Sequence, residues 1–485
     1  MKKLIIVVSM VTLGFISTYG QAGEVKRITL SEGGSVVNLH KLGLVVKIDS
    51  RENDFVFYNE DLKKKGNVNL TFESRREFIH NYYYDTLLKK ILVFHGKKKI
   101  QSITTITPDT RKKKTIEVVS PKGHTLSSSI ITIDKSSYIL SYKKTKTFLN
   151  NIEMANGDIT PVEMPEEWKA RTILKVQRVN NKYMAILYLD SKIKNKKYKN
   201  IALMDDDGKI VEDKLLSNND DDFPVDEFSI TDLGNDDLAI AGTYSQTVKS
   251  DYSVGMFVVK IENLKRIYVE YYEYSSMKNF FNYMSTKNKE KAEKKAEKNA
   301  KKGKPTKYLA ITHQVISNNG AYLVTAEFFY PTYRTESYTT YSNGRATTTY
   351  RTVFDGFQYT HTMVLGIDPD GKKEFEHCIP LKLDYKPYSA YQTLRRSVNN
   401  DEVKYCYIAN NSIYTFAIVD GDLKENDPKV LVEVDDDKKL KSTSTSINSW
   451  YDSYFYCLLT QTTKEKGKLI GGKETSYFLI KYDVE

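Results

Sequence analysis

The feature that most constrains the fold is a unit that repeats along almost the whole chain. Apolar, strand-like runs begin at residues 44, 91, 138 and 183 and continue to the C-terminus. Each run follows a strand that ends in an Asn/Asp/Gly turn, and two further strands separated by a second such turn come after it. Alternating runs divided by turn residues of this kind predict antiparallel hairpins.

Eight of these units can be counted, and we name the strands of each unit A to D in chain order. Four short strands repeated at about 45 residues are typical of a β-propeller. The last unit ends in its strand C, whereas residues 24–32 form a strand that precedes the first unit. We therefore predict an all-β, eight-bladed propeller, closed where the N-terminal strand completes the last blade. A seven-bladed propeller and a pair of β-sandwiches are the alternatives.

The turns also carry a family resemblance. Residues 368–372 read DPDGK and join two strands of the sixth unit. In this respect the chain resembles β-propeller repeat proteins and, more loosely, uncharacterised exported propellers of Bacteroidota-type bacteria. The resemblance implies a fold and no functional residues, because the WD dipeptide, the kelch double-glycine pattern and the sialidase Asp-box are absent.

The N-terminus predicts export. Lys2 and Lys3 precede an apolar run at residues 4–16, and small residues follow. This is the layout of a secretory signal peptide, expected at residues 1–22, and the run is shorter than the roughly 20 residues of a membrane span. We expect residues 23–485 to be one exported, soluble propeller domain in the periplasm, on the outer surface or outside the cell. An uncleaved anchor is the alternative.

The three cysteines do not indicate a disulfide framework, because their number is odd. Cys406 and Cys457 lie in strand-like runs and are expected as buried apolar residues. A disulfide between these two is the alternative in an oxidising compartment.

The first insertion, residues 275–305, separates the fifth unit from the sixth. Apolar residues at 277, 280, 281 and 284 have helical spacing, and a Lys-rich segment follows. We predict a helix that is docked by its first two turns and that projects a basic tail. The candidate binding residues are Lys291, Lys294, Lys295 and Lys298. A solvated helix without a partner is the alternative.

The second insertion, residues 328–359, lies within the sixth unit. Asn343-Gly344 predicts a type I′ turn, so the insertion is expected to be a long β-hairpin. Aromatic and hydroxyl side chains along it suit contact with sugars or peptide. A hairpin that only covers the neighbouring blade is the alternative. The candidate binding residues are Tyr333, Tyr338, Tyr341, Arg345 and Tyr350.

Topology places both insertions on one face. In an up-and-down blade the B–C and D–A connections open on the same side of the ring, and the helix is a D–A insertion while the hairpin is a B–C insertion. Several B–C loops are basic, for example residues 95–100 and 190–199, whereas C–D turns such as 205–208 are acidic at their start. The sequence therefore predicts one basic, elaborated face.

The net charge of +11 is local. Residues 287–307 carry ten Lys and three Glu, and the predicted signal peptide adds two positive charges, so the rest of the chain has a net charge of +2. A local patch attracts anions in general. The partners expected are an anionic glycan, a lipid head group or an acidic protein, with nucleic acid disfavoured. Lysines that only maintain solubility are the alternative.

Sequence motifs for catalysis are missing. HExxH, GxSxG, the Walker loop and GxGxxG do not occur. We predict no cofactor, no metal site and no catalytic residues, and we expect a monomeric binding or scaffold propeller of the cell envelope. The alternatives are a propeller glycan hydrolase or lyase that uses carboxylates of the central pocket, and a subunit of a surface assembly.

Overall fold

The computed structural model describes residues 25–48, 53–72, 74–193, 196–216, 223–247, 250, 252–318, 321–342, 345–399, 402–435, 438–466 and 473–483. The predicted signal peptide and the predicted turn at Asn343-Gly344 lie outside these residues.

The first half of the described chain forms four blades of antiparallel strands. β1 (Val25–Leu30) comes first and belongs to the last blade. Blade 1 is β2 (Gly34–Asn38), β3 (Leu44–Ile48), β4 (Asp54–Tyr58) and β5 (Lys64–Asn69); blade 2 is β6 (Phe78–Asp85), β7 (Lys90–Gly96), β8 (Ser102–Ile106) and β9 (Lys113–Glu117). Blade 3 is β10 (Thr125–Ile133), β11 (Ser136–Lys143), β12 (Lys146–Ile152) and β13 (Ile159–Pro161); blade 4 is β14 (Thr172–Arg178), β15 (Met184–Ile193), β16 (Lys196–Met204) and β17 (Ile210–Glu212).

Four further blades follow in the second half. Blade 5 is β18 (Val225–Gly234), β19 (Asp237–Tyr244), β20 (Gly255–Glu262) and β21 (Lys265–Glu273). Blade 6 is β22 (Leu309–Thr312), β23 (Ile316–Asn318), β24 (Ala321–Ser342), β25 (Arg345–Ile367) and β26 (Lys373–Pro380). Blade 7 is β27 (Arg395–Asn399), β28 (Glu402–Ala409), β29 (Ser412–Val419), β30 (Asp422–Glu425) and β31 (Lys429–Val430); blade 8 is β32 (Lys438–Ser449), β33 (Tyr454–Glu465) and β34 (Lys473–Asp483).

Helices are few among the described residues. The α-helix α1 spans Thr286–Ala300. Short 3₁₀ helices lie at His40–Leu42, Glu166–Ala170 and Tyr274–Ser276. None of the helices in the described ranges is long and apolar enough to cross a membrane.

The N-terminal strand closes the ring. β1 pairs antiparallel with β34, from Val25 opposite Tyr482 to Leu30 opposite Tyr477, and so it becomes strand D of blade 8. A second link joins the first and last blades, because the Asn38 side chain donates to the Ser449 carbonyl at 2.9 Å. The prediction of eight blades with this closure is confirmed, and the seven-bladed and sandwich alternatives are wrong.

Strand A of each blade lies next to the central axis, since A strands of neighbouring blades contact one another around the ring. The Tyr83 hydroxyl of β6 donates to the Ile130 carbonyl of β10 at 2.8 Å, and Ser229 of β18 donates to the His313 carbonyl next to β22 at 2.7 Å. The B and C strands are buried between neighbouring blades. For that reason they appear in the sequence as almost continuous apolar runs.

The cysteines are part of this packing. Cys406 and Cys457 are fully buried in the same apolar cluster between blades 7 and 8. All three cysteines lie in the described part of the chain and are free thiols. Burial raises the pKa of Cys457 to about 12, which keeps its thiol protonated and unreactive. These residues behave as small apolar side chains.

The structure corrects the local prediction at the first insertion. The helix begins at Thr286 and not near Met277. The preceding segment consists of successive turns, in which the N–H of Phe280 donates to Met277 and that of Met284 donates to Phe281. Apolar residues at i, i+3 and i+4 report burial on one side of the chain, and consecutive tight turns satisfy that pattern as well as a helix does.

Blade 7 has an irregular outer edge. β30 (Asp422–Glu425) pairs with the end of β29, and the two residues of β31 pair with its start. The outer edge of the blade is therefore split into two short strands. Short outer strands leave few unpaired backbone groups at an edge.

Candidate functional site

The two insertions are neighbours on one face of the ring. The chain enters the first insertion from β21 and returns to β22, whereas the second is the extension of β24 and β25 beyond the blade. Phe280 of the first insertion contacts Phe328 at the base of the second, with ring centroids 5.1 Å apart. Their common side is therefore the face on which the D–A and B–C connections open.

His361 holds the two insertions together. Its ring is stacked between Tyr283, at 4.1 Å, and Phe328, at 4.7 Å, and Phe280 packs edge-on against it at 4.8 Å. The side chain is fully buried, and burial lowers the pKa of His361 to about 3. The imidazole is consequently neutral at neutral pH, and it acts as a flat ring in an aromatic stack.

The predicted lysines form a stripe along α1. Lys291, Lys294, Lys295 and Lys298 have i, i+3, i+4, i+7 spacing, which places them on one side of a helix, and all four are exposed. Ala296 is buried and Ala292 is half-buried against the propeller, so the stripe faces away from the body.

The charges of this stripe are not neutralised within the described part of the chain. The helix does contain ion pairs, but they join Lys289 with Glu293 and Glu297 with Lys301. Among the described residues, the four lysines of the stripe have no carboxylate within ion-pair distance. Four positive charges on one exposed side therefore remain available to an anion.

The hairpin has two chemically different faces, because side chains alternate along each strand. Tyr333 pairs with Phe354 and Tyr341 pairs with Ala346, so these residues share a face with Tyr350, which pairs with Ser337. Between them lie Thr335, Thr352, Thr339 and Thr348. We call this uncharged surface the Tyr/Thr face; its tyrosines are more than half exposed.

The opposite face of the hairpin is ionic. Glu336 accepts from Arg334 at 2.8 Å and from Arg351 at 2.7 Å, and these guanidinium groups lower the pKa of Glu336. Asp355 accepts from Lys386 at 2.9 Å, and this ammonium group holds the pKa of Asp355 below its usual range. The Glu336 ion pairs lie within the hairpin, whereas the Lys386–Asp355 pair ties the base of the hairpin to the loop that precedes blade 7.

The structure therefore divides the predicted hairpin residues. Tyr333, Tyr341 and Tyr350 lie together on the Tyr/Thr face, whereas Tyr338 and Arg345 lie on the ionic face. All five are exposed. The residues that connect hairpin and helix are Phe280, Tyr283 and His361, and the sequence analysis did not select them as a site.

A cavity of about 960 Å³ opens beside the hairpin base. Its wall includes Val225, Leu309 and Arg395, each the first residue of a strand A, and D–A connections enter the blades at these points. Phe329 and Phe357 of the hairpin base complete its side. The cavity is thus the mouth of the central channel on the face of the insertions, and it has the size typical of a ligand site.

One wall of the cavity is held by a buried carboxylate. Glu327 is fully buried and accepts the backbone N–H groups of Thr393, at 2.9 Å, and Leu394, at 3.1 Å, as well as the Thr393 hydroxyl. His313 lies 2.7 Å from Glu327, and burial lowers the pKa of His313 although Glu327 opposes this shift. The neutral imidazole therefore donates its Nε2–H to Glu327.

A tyrosine holds the same wall from the other side. The Tyr359 hydroxyl donates to the Tyr391 carbonyl at 2.5 Å and accepts the N–H of the same residue at 2.8 Å. Gln392 donates its side-chain N–H to the Thr312 carbonyl at 2.8 Å. The segment that carries Tyr391, Gln392 and Arg395 to the cavity is therefore rigid before any ligand arrives. A lone glutamate inside the apolar run YLVTAEFF was the signal for Glu327 in the sequence.

Side chains that could bind a metal do not cluster in the described part of the chain. In these ranges, no group of three or more His, Cys, Asp or Glu side chains is arranged to hold a metal ion.

The fold defines the class of protein, which is an eight-bladed β-propeller. No family model matches the chain, and no curated protein matches it either. Solved structures with a similar fold include the Dos1 propeller, with 10% identity, 94% of each chain covered and a TM-score of 0.41. The dihydro-heme d1 dehydrogenase NirN in complex with DHE has 10% identity, 82% of this chain and 66% of that chain covered, and a TM-score of 0.43.

A third similar structure is an oligogalacturonate lyase in complex with manganese, with 10% identity, 83% of this chain and 95% of that chain covered, and a TM-score of 0.37. At sequence identities this low, the similarity shows the fold alone. The same fold occurs in both enzymes and binding proteins. The comparisons give no support to the looser resemblance to exported bacterial propellers.

Proposed function

We propose that this protein is a non-enzymatic binding propeller of the cell envelope that captures an anionic polysaccharide on the face of its insertions. The lysine stripe on α1 carries the proposal. Four ammonium groups that have no carboxylate partner among the described residues concentrate anions at one place on a protein whose charge is otherwise small. A polymer with regularly spaced carboxylates matches a linear array of this kind.

The hairpin supports the same proposal. Its Tyr/Thr face offers aromatic rings and hydroxyl groups without charge, a combination that packs against sugar rings and hydrogen-bonds their hydroxyls. A chain held electrostatically at α1 would gain these neutral contacts from the neighbouring insertion. Export, inferred from the predicted signal peptide, would bring the protein to envelope glycans.

The cavity favours binding over glycan hydrolysis. Glycosidases use a pair of Asp or Glu side chains that flank the scissile bond. Among the described residues that line the cavity, Glu227 is the one carboxylate. The buried Glu327 is engaged by the backbone and the hydroxyl of the neighbouring segment and by His313, so it is placed to hold a wall and not to meet a substrate.

The test is binding of the mature protein to polygalacturonate and to neutral dextran, measured by biolayer interferometry at about 50 and about 500 mM salt. The variant replaces Lys291, Lys294, Lys295 and Lys298 by Gln. The control replaces four exposed lysines of the opposite face in the same way, namely Lys64, Lys65, Lys112 and Lys135.

At roughly 0.5 kcal/mol for each exposed contact, the loss of the stripe predicts about thirtyfold weaker polygalacturonate binding at low salt. The control variant and the wild type should bind alike, and high salt should abolish the difference. Equal binding by both variants, or equal binding of dextran and polygalacturonate, would refute the proposal.

A further inference from the structure

We infer that the cavity at the channel mouth is a second, separate binding site, for a single carboxylate-bearing sugar unit, with Arg395 as the anchor of its carboxylate. The lysine stripe would attract a polymer, whereas this site would recognise one of its units or a free acidic sugar. Three observations lead to this assignment: the state of the Arg395 guanidinium, an unpartnered hydroxyl in the cavity wall, and the composition of the rest of the wall.

Arg395 carries a charge that no described carboxylate neutralises. Its Nε donates to the Ile447 carbonyl at 2.8 Å and to the Asn448 side chain at 3.1 Å, and its Nη1 donates to the Gln392 carbonyl at 2.5 Å. These acceptors are neutral dipoles. They hold the guanidinium in place and leave Nη2 without a hydrogen bond among the described residues.

This arrangement is suited to an anion. Guanidinium groups form their strongest hydrogen bonds with carboxylates. Because Arg395 is already oriented by the protein, little side-chain entropy is lost when a ligand binds. Glu327 and Tyr359 contribute to this orientation, since they hold the segment from which Arg395 extends.

Thr243 supplies the second observation. It lines the cavity, its side chain is fully buried, and its hydroxyl has no hydrogen-bond partner in the described structure. An unsatisfied buried hydroxyl costs about 1–3 kcal/mol, so such groups are rare in folded proteins. Because this hydroxyl is fully buried, a ligand hydroxyl would satisfy it only after the side chains that cover Thr243 move aside.

The remaining wall suits a sugar ring. Phe329, Phe357 and Tyr391 present aromatic surface, and Glu227 of blade 5 adds a carboxylate to the lining. This carboxylate can accept hydrogen bonds from the hydroxyl groups of a sugar. A ligand that matches the guanidinium, the aromatic surface and the hydrogen-bonding groups of the wall is therefore a sugar ring with one carboxylate and several hydroxyls. The choice of an acidic sugar as this ligand rests on the proposed function, whereas the site itself rests on the cavity.

The experiment measures binding of digalacturonate and of its dimethyl ester to the mature protein by isothermal titration calorimetry. The ester has nearly the same shape but no charge, so it isolates the contribution of the carboxylate. The variants are Arg395→Gln and Thr243→Val. Their matched controls are Arg111→Gln, an exposed arginine of another face that also donates to a backbone carbonyl, and Thr362→Val, another buried threonine whose hydroxyl has no partner in the described structure.

We expect the acid to bind at least about tenfold more tightly than the ester, and Arg395→Gln to remove that difference. Thr243→Val should weaken binding of both ligands by about fivefold to tenfold without loss of thermal stability, since it removes a hydroxyl that has no protein partner. Both control variants should bind as the wild type does.

Two outcomes would overturn the assignment. Equal affinity for acid and ester would remove Arg395 as an anchor, and unchanged binding in Thr243→Val together with Arg395→Gln would place the ligand elsewhere. If Arg395→Gln does not fold, the Thr243→Val variant and the comparison of acid with ester still test the assignment of this site. Substitution of the lysine stripe should not affect binding of the short ligand, so failure of this site and failure of the polymer-binding proposal give different results.

Discussion

The neutral imidazole of His361 makes the docking of the first insertion dependent on pH. Burial lowers the pKa of this residue from 6.5 to about 3, so the docked state binds fewer protons than an open state in which the imidazole is solvated. Docking is fully stabilised above pH 6.5 and is weakened as the pH falls from 6.5 towards 3. Between pH 7 and pH 5 this proton linkage amounts to about 2 kcal/mol, or about a thirtyfold larger population of the open state.

The measurement is hydrogen exchange of the backbone amides of residues 277–284, at pH 7 and pH 5, after correction for intrinsic exchange rates. The comparison protein is His361→Phe, which keeps a ring between Tyr283 and Phe328 but cannot be protonated. The opening constant of the wild type should rise about thirtyfold at pH 5, and that of the variant should change little. The buried His313 is present in both proteins, and its contribution therefore cancels. An equal rise in both proteins, or none in the wild type, would refute this account of the insertion.

Three further predictions concern stability. Glu327→Ala should lower the free energy of unfolding by about 3 kcal/mol, because buried donors lose their acceptor, and Glu327→Gln should lower it by less. Equal melting temperatures for the wild type and both variants would contradict this. Deletion of residues 25–30 should lower the melting temperature and cause association through the exposed edge of β34, seen by light scattering, and a stable monomer would argue against ring closure by β1. Gly242→Ala should cost about 1–3 kcal/mol, because its Cβ would lie 1.9 Å from the Glu227 carbonyl oxygen, and unchanged chemical denaturation would contradict this close approach.

The number and order of the blades could be predicted because their signals are local. Each B strand is buried on both sides, as β7 and β19 show, and it therefore appears as a short apolar run between turn residues. Ring closure followed from one additional fact, the missing strand D of the last unit. Local signals failed where burial had another cause, as at Met277 and Phe280, which are buried by turns packed on blade 6.

The candidate site was predicted in part. The lysine stripe depends only on helical spacing, so its position on one side of α1 follows from the sequence. The hairpin faces also depend on which residues pair across the strands. The alternation from Tyr338 to Tyr341 separates those two residues, but only the register shows that Tyr350 lies opposite Ser337 and joins the face of Tyr341.

The sequence by itself determined the repeat, the strand order within a blade and the face on which both insertions emerge, because these properties depend on periodicity and on the alternating direction of short strands. Only the tertiary structure decided the cavity and the contacts around it. Glu227 and Thr243 lie on paired strands of blade 5, whereas Arg395 begins the inner strand of blade 7, and all three line one cavity because the closed ring brings the same ends of these blades together. Side chains that converge across a closed ring leave no pattern along the chain.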